Sequence, residues 1–132
     1  MSLDLFRHVQ GEVRFDEPMR RHSSFRIGGP ADVFVSPVNA EDLCTVLREA
    51  HEREMPVTII GAGTNLLVSD EGIRGCVIKI GRGLGGMRRE GELLIAGAGA
   101  PIARVARWAA GLGLSGLEFS EGIPGSVGGA VT

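Results

Sequence analysis

The segment Gly122-Ile123-Pro124-Gly125-Ser126-Val127-Gly128-Gly129-Ala130-Val131, with Glu121 before it, packs four glycines, a proline and a serine into eleven residues. Side-chain packing gains nothing from such a run, and each glycine adds to the conformational entropy lost on folding. A chain carries it where backbone must approach something large, anionic or flat, or where two chain segments cross. The same bias runs through the second half of the sequence. Of 21 glycines in 132 residues, 18 lie between Gly61 and Gly129 and three precede them, where average usage is about 7 % overall. Val, Ile and Leu are interleaved throughout, so the glycines mark short strands joined by tight turns.

A chain of this length suits one domain, or one and a fraction, and can bury roughly two-thirds of its unfolded surface without a disulfide or metal. Hydrophobic content of 43% and a net charge of -2 indicate a soluble globular protein. They argue against a nucleic-acid or membrane-surface binder, which needs a basic face. The pairs Arg20-Arg21 and Arg88-Arg89 read as solvated surface. Cys44 and Cys76 do not form a disulfide scaffold, and His8, His22 and His51 lack ligand spacing, so no metal site is expected. With no signal-peptide stretch and no apolar window of membrane-spanning length, cytoplasm is the expected location.

Gly28-Gly29-Pro30 is a turn signal, and Ala31 to Val35 then reads as a strand. Asn39 suits an N-cap, with Glu41 and Asp42 in the first turn where the helix dipole favours anions. Leu43, Val46, Leu47 and Ala50 form one helical stripe, and the helix should end near Arg53. Val57 to Ile60 and Cys76 to Ile80 are strands, which completes a βαββ unit of about fifty residues that covers one sheet face with a helix. Gly81 to Gly86 reads as a connector, Leu93 to Ala96 as a further strand, and Pro101 to about Ala110 as a helix with Ile102, Val105, Ala106 and Ala109 inward. Residues 1–80 and 81–132 are therefore expected to be two subdomains. The first 22 residues show little periodicity, and the tail from Gly111 reads as loop.

Two stretches carry candidate chemistry. Ile60 runs straight into Gly61-Ala62-Gly63-Thr64-Asn65-Leu66-Leu67, which exposes consecutive backbone N–H groups in a nest suited to a pyrophosphate. The dinucleotide fingerprint G-x-G-x-x-G is not met, since its sixth position is Leu66, and no phosphate-loop Lys follows. By itself the loop fits an ordinary strand-end turn as well as an anion site. The second stretch is Gly122 to Gly129, where Pro124 stiffens the chain and Ser126 offers a hydroxyl; a glycine-lined chain crossing is the alternative.

Three motifs together carry a resemblance. His22-Ser23-Ser24-Phe25-Arg26-Ile27-Gly28-Gly29-Pro30-Ala31-Asp32, Gly61 to Asp70, and Gly122 to Val131 resemble, in order and spacing, the N-terminal part of the UDP-N-acetylenolpyruvoylglucosamine reductase (UDP-N-acetylmuramate dehydrogenase) family. The resemblance implies an α+β FAD-binding fold of the p-cresol methylhydroxylase and vanillyl-alcohol oxidase type, with a small βαββ subdomain and an incomplete second α+β subdomain. It implies that Gly61, Ala62, Gly63, Thr64, Asn65, Leu66 and Leu67 wrap the FAD pyrophosphate. Gly122, Ile123, Pro124, Gly125, Ser126, Gly128 and Gly129 would pass close to pyrophosphate and flavin. The family uses NADPH to reduce a UDP-sugar enolpyruvyl ether in cytoplasmic peptidoglycan synthesis, and so serves cell-wall biogenesis, cell shape and division. Its catalytic Arg, Glu and Ser lie beyond the position of Thr132, as does the substrate-binding domain; Arg26 and Ser126 occupy structural or cofactor-facing positions. The chain is thus expected to be an inactive fragment with no catalytic residue of its own, prone to artificial self-association. Another FAD-dependent oxidoreductase of the same fold, or a non-catalytic nucleotide-binding module, is the alternative.

Overall fold

Ala31 to Val35 and Cys76 to Ile80 lack the polar alternation of a half-exposed strand, and such runs belong in a sheet covered on both faces. The computed structural model, which describes residues 4–120 and 122–132, builds that sheet from β1 (Glu12–Pro18), β2 (Pro30–Ser36), β3 (Val57–Ile60) and β4 (Ile73–Lys79). Their spatial order is β1-β2-β4-β3; β1 runs antiparallel to β2, while β2, β4 and β3 are mutually parallel.

Two features of this sheet depart from the sequence expectation. The segment Glu12–Pro18 is a strand, although its pattern runs against burial: Phe15 is 41% exposed while Glu17 is buried. Asp16 adopts φ +51 in the middle of it, with the same pairing register on either side. The strand exists because β2 offers it an open edge, a long-range cause that local periodicity does not register. Strand β4 also begins three residues earlier than expected. A register shift between Ala31 and Val33 lets it do so. Asp32 holds the irregularity in place, accepting from the Gly75 N–H at 2.9 Å and pairing with Arg74 at 3.1 Å.

One face is sealed by α1 (Ala40–Glu52), which places Val46 and Ala50 against Val33, Val35, Cys76 and Ile78, with Leu5 and Phe6 closing the end. Asn39 caps it as expected, its side chain accepting from the Asp42 N–H at 2.8 Å. Leu47 turns outward, 38% exposed. Asp42 sits in the first turn as expected, and it is buried there. It accepts from the backbone N–H groups of Gln10 at 2.8 Å, Gly11 at 2.9 Å and Val38 at 3.0 Å. One carboxylate therefore ties the start of β1 and the end of β2 to the helix. At the sheet centre, burial pushes the Cys76 thiol up to about 12, so it stays protonated at neutral pH.

Among the described residues no α-helix covers the opposite face. Met19, Phe34, Ile60, Val68 and Val77 form its core, and the cover is a 3-10 turn at Met19–Arg21 together with the loop from Gly61 to Gly72. Parallel neighbours usually need a helical crossover; β3 and β4 are joined by this loop alone.

Beyond β4 the chain forms a 3-10 turn at Arg82–Leu84 and an antiparallel hairpin of β5 (Met87–Glu90) and β6 (Leu93–Ala96). It continues through α2 (Ile102–Gly111) and a 3-10 turn at Glu118–Ser120 to a short α3 (Val127–Val131). Helix α2 buries the four residues expected of it. Strand β5 and helix α3 were not expected: the first is arginine-rich and mostly exposed, the second holds two glycines. Each is kept by a partner, β6 for the one and the Ala98 and Ala100 carbonyls for the other.

Burial alone would raise the Asp42 carboxyl, but the three N–H donors hold it below the ordinary 3.8. A depressed folded pKa contributes stability that is present above the unfolded value and lost as pH falls through the folded one. Asp42→Ala is expected to cost on the order of 3 kcal/mol at neutral pH, since three donors lose a charged acceptor. Urea midpoints at pH 7 and pH 3 check this: the gap between wild type and variant should shrink at the lower pH.

Candidate cofactor cleft

The three parallel strands point their carboxyl ends at one place, where open α/β sheets leave room for ligands. Ser36 ends β2, Gly61 follows β3, and Lys79 ends β4 with Ile80 and Gly81 after it. Together with Gly99, Pro101, Gly125 and Ser126 from the second half of the chain they line a cleft of about 1020 Å³. A second cavity of about 640 Å³ continues from it between the loop Gly61 to Leu66 and the segment Ile123 to Ser126.

The 61–67 loop is shaped by another loop, 22–29, and the join explains both sequences. The Ser24 N–H donates to the Gly63 carbonyl at 3.0 Å, and the Ser23 hydroxyl donates to the Leu66 carbonyl at 2.6 Å. Further along, the Gly29 N–H donates to the Ser69 carbonyl at 2.8 Å. Gly63 sits at φ +75, and a Cβ there would overlap the His22 carbonyl oxygen. The loop is thus fastened through its carbonyls. Its amides are left over: among the described residues, no backbone N–H from Gly61 to Leu67 donates to another protein group. Gly63 is buried and Gly61, Thr64 and Leu66 are half-buried; amides so placed are seldom unpaired, and a run of them makes an anion-binding concavity.

The two glycine-rich stretches meet. A Cβ at Gly61 would lie 2.7 Å from the Ser126 Oγ, and one at Gly125 would lie 3.1 Å from the Thr64 Oγ1. Ser126 caps α3, accepting from the Gly129 N–H at 3.2 Å, and the Ile102 N–H donates to the Gly125 carbonyl at 3.0 Å. Of the residues expected to contact cofactor, Gly61, Ala62, Gly63, Thr64, Asn65, Leu66, Ile123, Pro124, Gly125, Ser126 and Gly129 line the cleft or its continuation. Leu67, Gly122 and Gly128 do not. Leu67 is 71% exposed, and Gly128 packs on Ala98 with its N–H given to the Ala98 carbonyl at 2.9 Å. Glu121 lies outside the described residues.

Sequence reasoning did not single out the wall formed by His22 and Phe34. Their rings stack with centroids 4.1 Å apart, and both line the larger cleft. The His22 Nε2 bonds the Glu17 carboxylate at 3.0 Å, while its buried Nδ1 has no partner among the described residues. Burial works against ionising Glu17, but the His22 hydrogen bond and the Arg14, His22 and Arg21 charges hold its carboxyl below the usual range. The buried acid in β1 was the one available signal.

A flat or apolar group against Phe34, and an anionic one on free amides, is what this cleft can take, and a dinucleotide has both parts. The cleft therefore defines an α+β domain of the dinucleotide-cofactor type, built without the Rossmann fingerprint. A family model described as FAD binding domain matches residues 31–132, and the chain belongs to that family. It is 47% identical over 123 residues to UDP-N-acetylenolpyruvoylglucosamine reductase of Desulforamulus reducens, and 48% identical over 121 residues to that of Bacillus subtilis. These alignments cover 93% and 92% of the chain but 41% and 40% of the relatives, so the chain spans about two-fifths of their length. Among solved structures it is similar to UDP-N-acetylenolpyruvylglucosamine reductase from Thermus caldophilus, with TM-score 0.65 and 33% identity over 93% of this chain and 41% of that one. The fold is also that of 6-hydroxy-D-nicotine oxidase from Arthrobacter nicotinovorans, with TM-score 0.61 and 17% identity over 80% of this chain and 24% of that one. The expected FAD-binding α+β fold is borne out.

Gly63→Ala and Gly61→Ala separate the two kinds of glycine. The first meets fixed backbone at a left-handed φ and is expected to cost several kcal/mol, at least ~3. The second meets the end of a serine side chain and is expected to cost less than about 1.5 kcal/mol. On a Ser126→Ala background, which by itself loses the α3 cap, the change at Gly61 should cost almost nothing and the change at Gly63 as much as before, as read by thermal denaturation.

Proposed function

We propose that this chain binds FAD in the cleft and forms the cofactor-binding part of a reductase that uses NADPH to reduce UDP-N-acetylglucosamine enolpyruvate to UDP-N-acetylmuramate. The observation that carries the reading is the run of unpartnered amides from Gly61 to Leu66, set at the carboxyl ends of three parallel strands in a cavity shared with Gly125 and Ser126. These amides would hold the pyrophosphate, with Thr64 and Asn65 able to add side-chain donors. Gly61 and Gly125 keep side chains out of the path, and the stacked His22 and Phe34 form part of the wall, with the His22 Nδ1 unpartnered among the described residues. FAD, when bound, supplies the redox chemistry.

Nothing in the chain is assigned a proton or an oxyanion to manage. On this reading those roles belong to residues of the longer protein, and residues 1–80 and 81–132 are the first cofactor subdomain and the beginning of the second. The likeness in sequence to proteins named UDP-N-acetylenolpyruvoylglucosamine reductase supports the substrate class, the NADPH and a cytoplasmic place in cell-wall synthesis. No helix among the described residues is long and apolar enough to cross a membrane.

In protein of the relatives' full length, FAD titration should quench flavin fluorescence and shift the flavin spectrum. The loaded protein should oxidise NADPH only when the enolpyruvyl UDP-sugar is present. FAD binding without that dependence would assign the chain to another oxidoreductase of the same fold; absence of FAD binding would overturn the reading altogether. The 132-residue chain alone is expected to hold FAD more weakly than the full-length protein.

A further inference from the structure

The joined loops 22–29 and 61–72 carry large apolar side chains that the core does not take. Phe25 and Ile27 are 56% and 50% exposed, with the exposed Arg26 between them. Leu67, also exposed, follows Leu66, whose carbonyl accepts the Ser23 hydroxyl, so it belongs to the same fastened pair of loops. Beside the 22–29 turn lies a groove of about 610 Å³ lined by Arg20, Arg21, Arg26 and Lys79, with no carboxylate in its wall. A net charge of -2 over the whole chain gives no hint of this basic face, which the fold makes by adding Lys79 to three arginines. Arg21 pairs with Glu17 at 3.8 Å, an acid that also serves Arg14 and His22. Among the described residues Arg20, Arg26 and Lys79 form no ion pair. The acids of the second loop, Asp70 and Glu71, come at its far end, where their carbonyls meet Gly29 and Arg74.

The turn is anchored at its base. Arg26 sits at φ +55, a conformation bulky residues seldom adopt, and its N–H donates to the Ser23 carbonyl at 3.0 Å. Ser23 is buried and bonded to Leu66, so Phe25 and Ile27 are held in water at a fixed place. Apolar side chains gathered on a surface and rimmed by polar ones mark a docking face, and the charge of the rim selects its partner. An anionic lipid surface answers both parts. Its phosphates draw arginine and lysine from within a Debye length, and its acyl boundary takes Phe, Ile and Leu. Arginine suits the rim, since its stem lies along apolar surface while its head stays among the phosphates. Exposed side chains on two loop turns fit such a deformable layer, whereas a rigid acidic partner would need a matching pocket for each.

We propose that the tip formed by Phe25, Ile27 and Leu67, with Arg20, Arg26 and Lys79 beside it, is a peripheral contact for an anionic phospholipid surface. Charge brings the surface up, and the apolar side chains enter its boundary layer. With so little apolar area inserted, the contact is reversible. The proposal goes beyond the cofactor reading and does not depend on it. Phe25, Ile27, Arg20 and Arg26 line neither the cofactor cleft nor its continuation, so the two sites can be separated by substitution.

The test is co-sedimentation of protein of the relatives' full length with vesicles of phosphatidylglycerol and phosphatidylcholine in equal parts, and of phosphatidylcholine alone. Wild type is compared with Phe25→Ser/Ile27→Ser, with Arg20→Gln/Arg26→Gln, and with Arg88→Gln/Arg89→Gln, which removes the same charge from the hairpin. Wild type should partition to the anionic vesicles roughly tenfold more strongly than to the neutral ones, and less as salt rises. Each tip variant should lose about tenfold in partitioning, and the hairpin variant less than about twofold. Unchanged thermal denaturation shows that each variant folds, so the result does not wait on FAD binding. Absence of vesicle binding by wild type overturns the proposal, as does binding that the tip variants leave intact or that the hairpin variant weakens equally. Soluble polyglutamate probes the other class of partner: binding to it that depends on Arg20 and Arg26, with none to vesicles, assigns an acidic protein and overturns the lipid contact. Should a double variant not fold, Phe25→Ser and Arg20→Gln made singly carry the same comparison.

Discussion

Where the His22 carbonyl meets Gly63, two loops distant in sequence are pressed together so closely that no side chain fits between them. The hydrogen bonds around that point use the carbonyls of one loop and the amides and hydroxyl of the other. This polarity of attachment decides the rest. It leaves the amides of Gly61 to Leu66, which line the cleft, without protein acceptors and sets His22 on Phe34. It also drops Val68 into the core beneath. A loop fastened the other way round, through its amides, would present carbonyls to the cleft and repel the ligand it is proposed to bind.

The sheet makes this attachment possible because both its faces need cover and, among the described residues, only α1 packs on it as a helix. Helix α1 takes one face, with Asp42 as the common acceptor for three segments. The other face is closed by the same loops that form the site. Structural and binding roles are therefore not divided between different residues, as they would be in a fold with a helix on each side. The short α3 and the bridge between Pro101 and Ser126 complete the far wall by the same economy, with backbone groups of one segment answering those of another.

Much of this was legible in the sequence where the signal is local. The stripe of α2, the cap at Asn39, the β-branched run of β3 and the two glycine-rich stretches are each set by neighbours along the chain, and each is found where the pattern puts it. What was illegible depends on partners far away. Strand β1 shows its wrong face to solvent because a buried Glu17 serves His22, Arg14 and Arg21. Asp42 looks like a surface dipole residue until its three amide donors are in view. Gly128 reads as cofactor-facing, yet it is small because Ala98 is next to it.

A core face sealed by loops in place of a helix has an energetic corollary. Opening the Gly61 to Gly72 loop would uncover Val68, Phe34 and Val77 as well as dissolve the row of amides, so local unfolding and site disassembly are one equilibrium. Any molecule held by those amides adds to the stability of that half of the sheet in proportion to its saturation. The apo domain should accordingly have one soft side, protected from hydrogen exchange on the α1 face and labile on the other. Cofactor loading then becomes the last step of folding for that face.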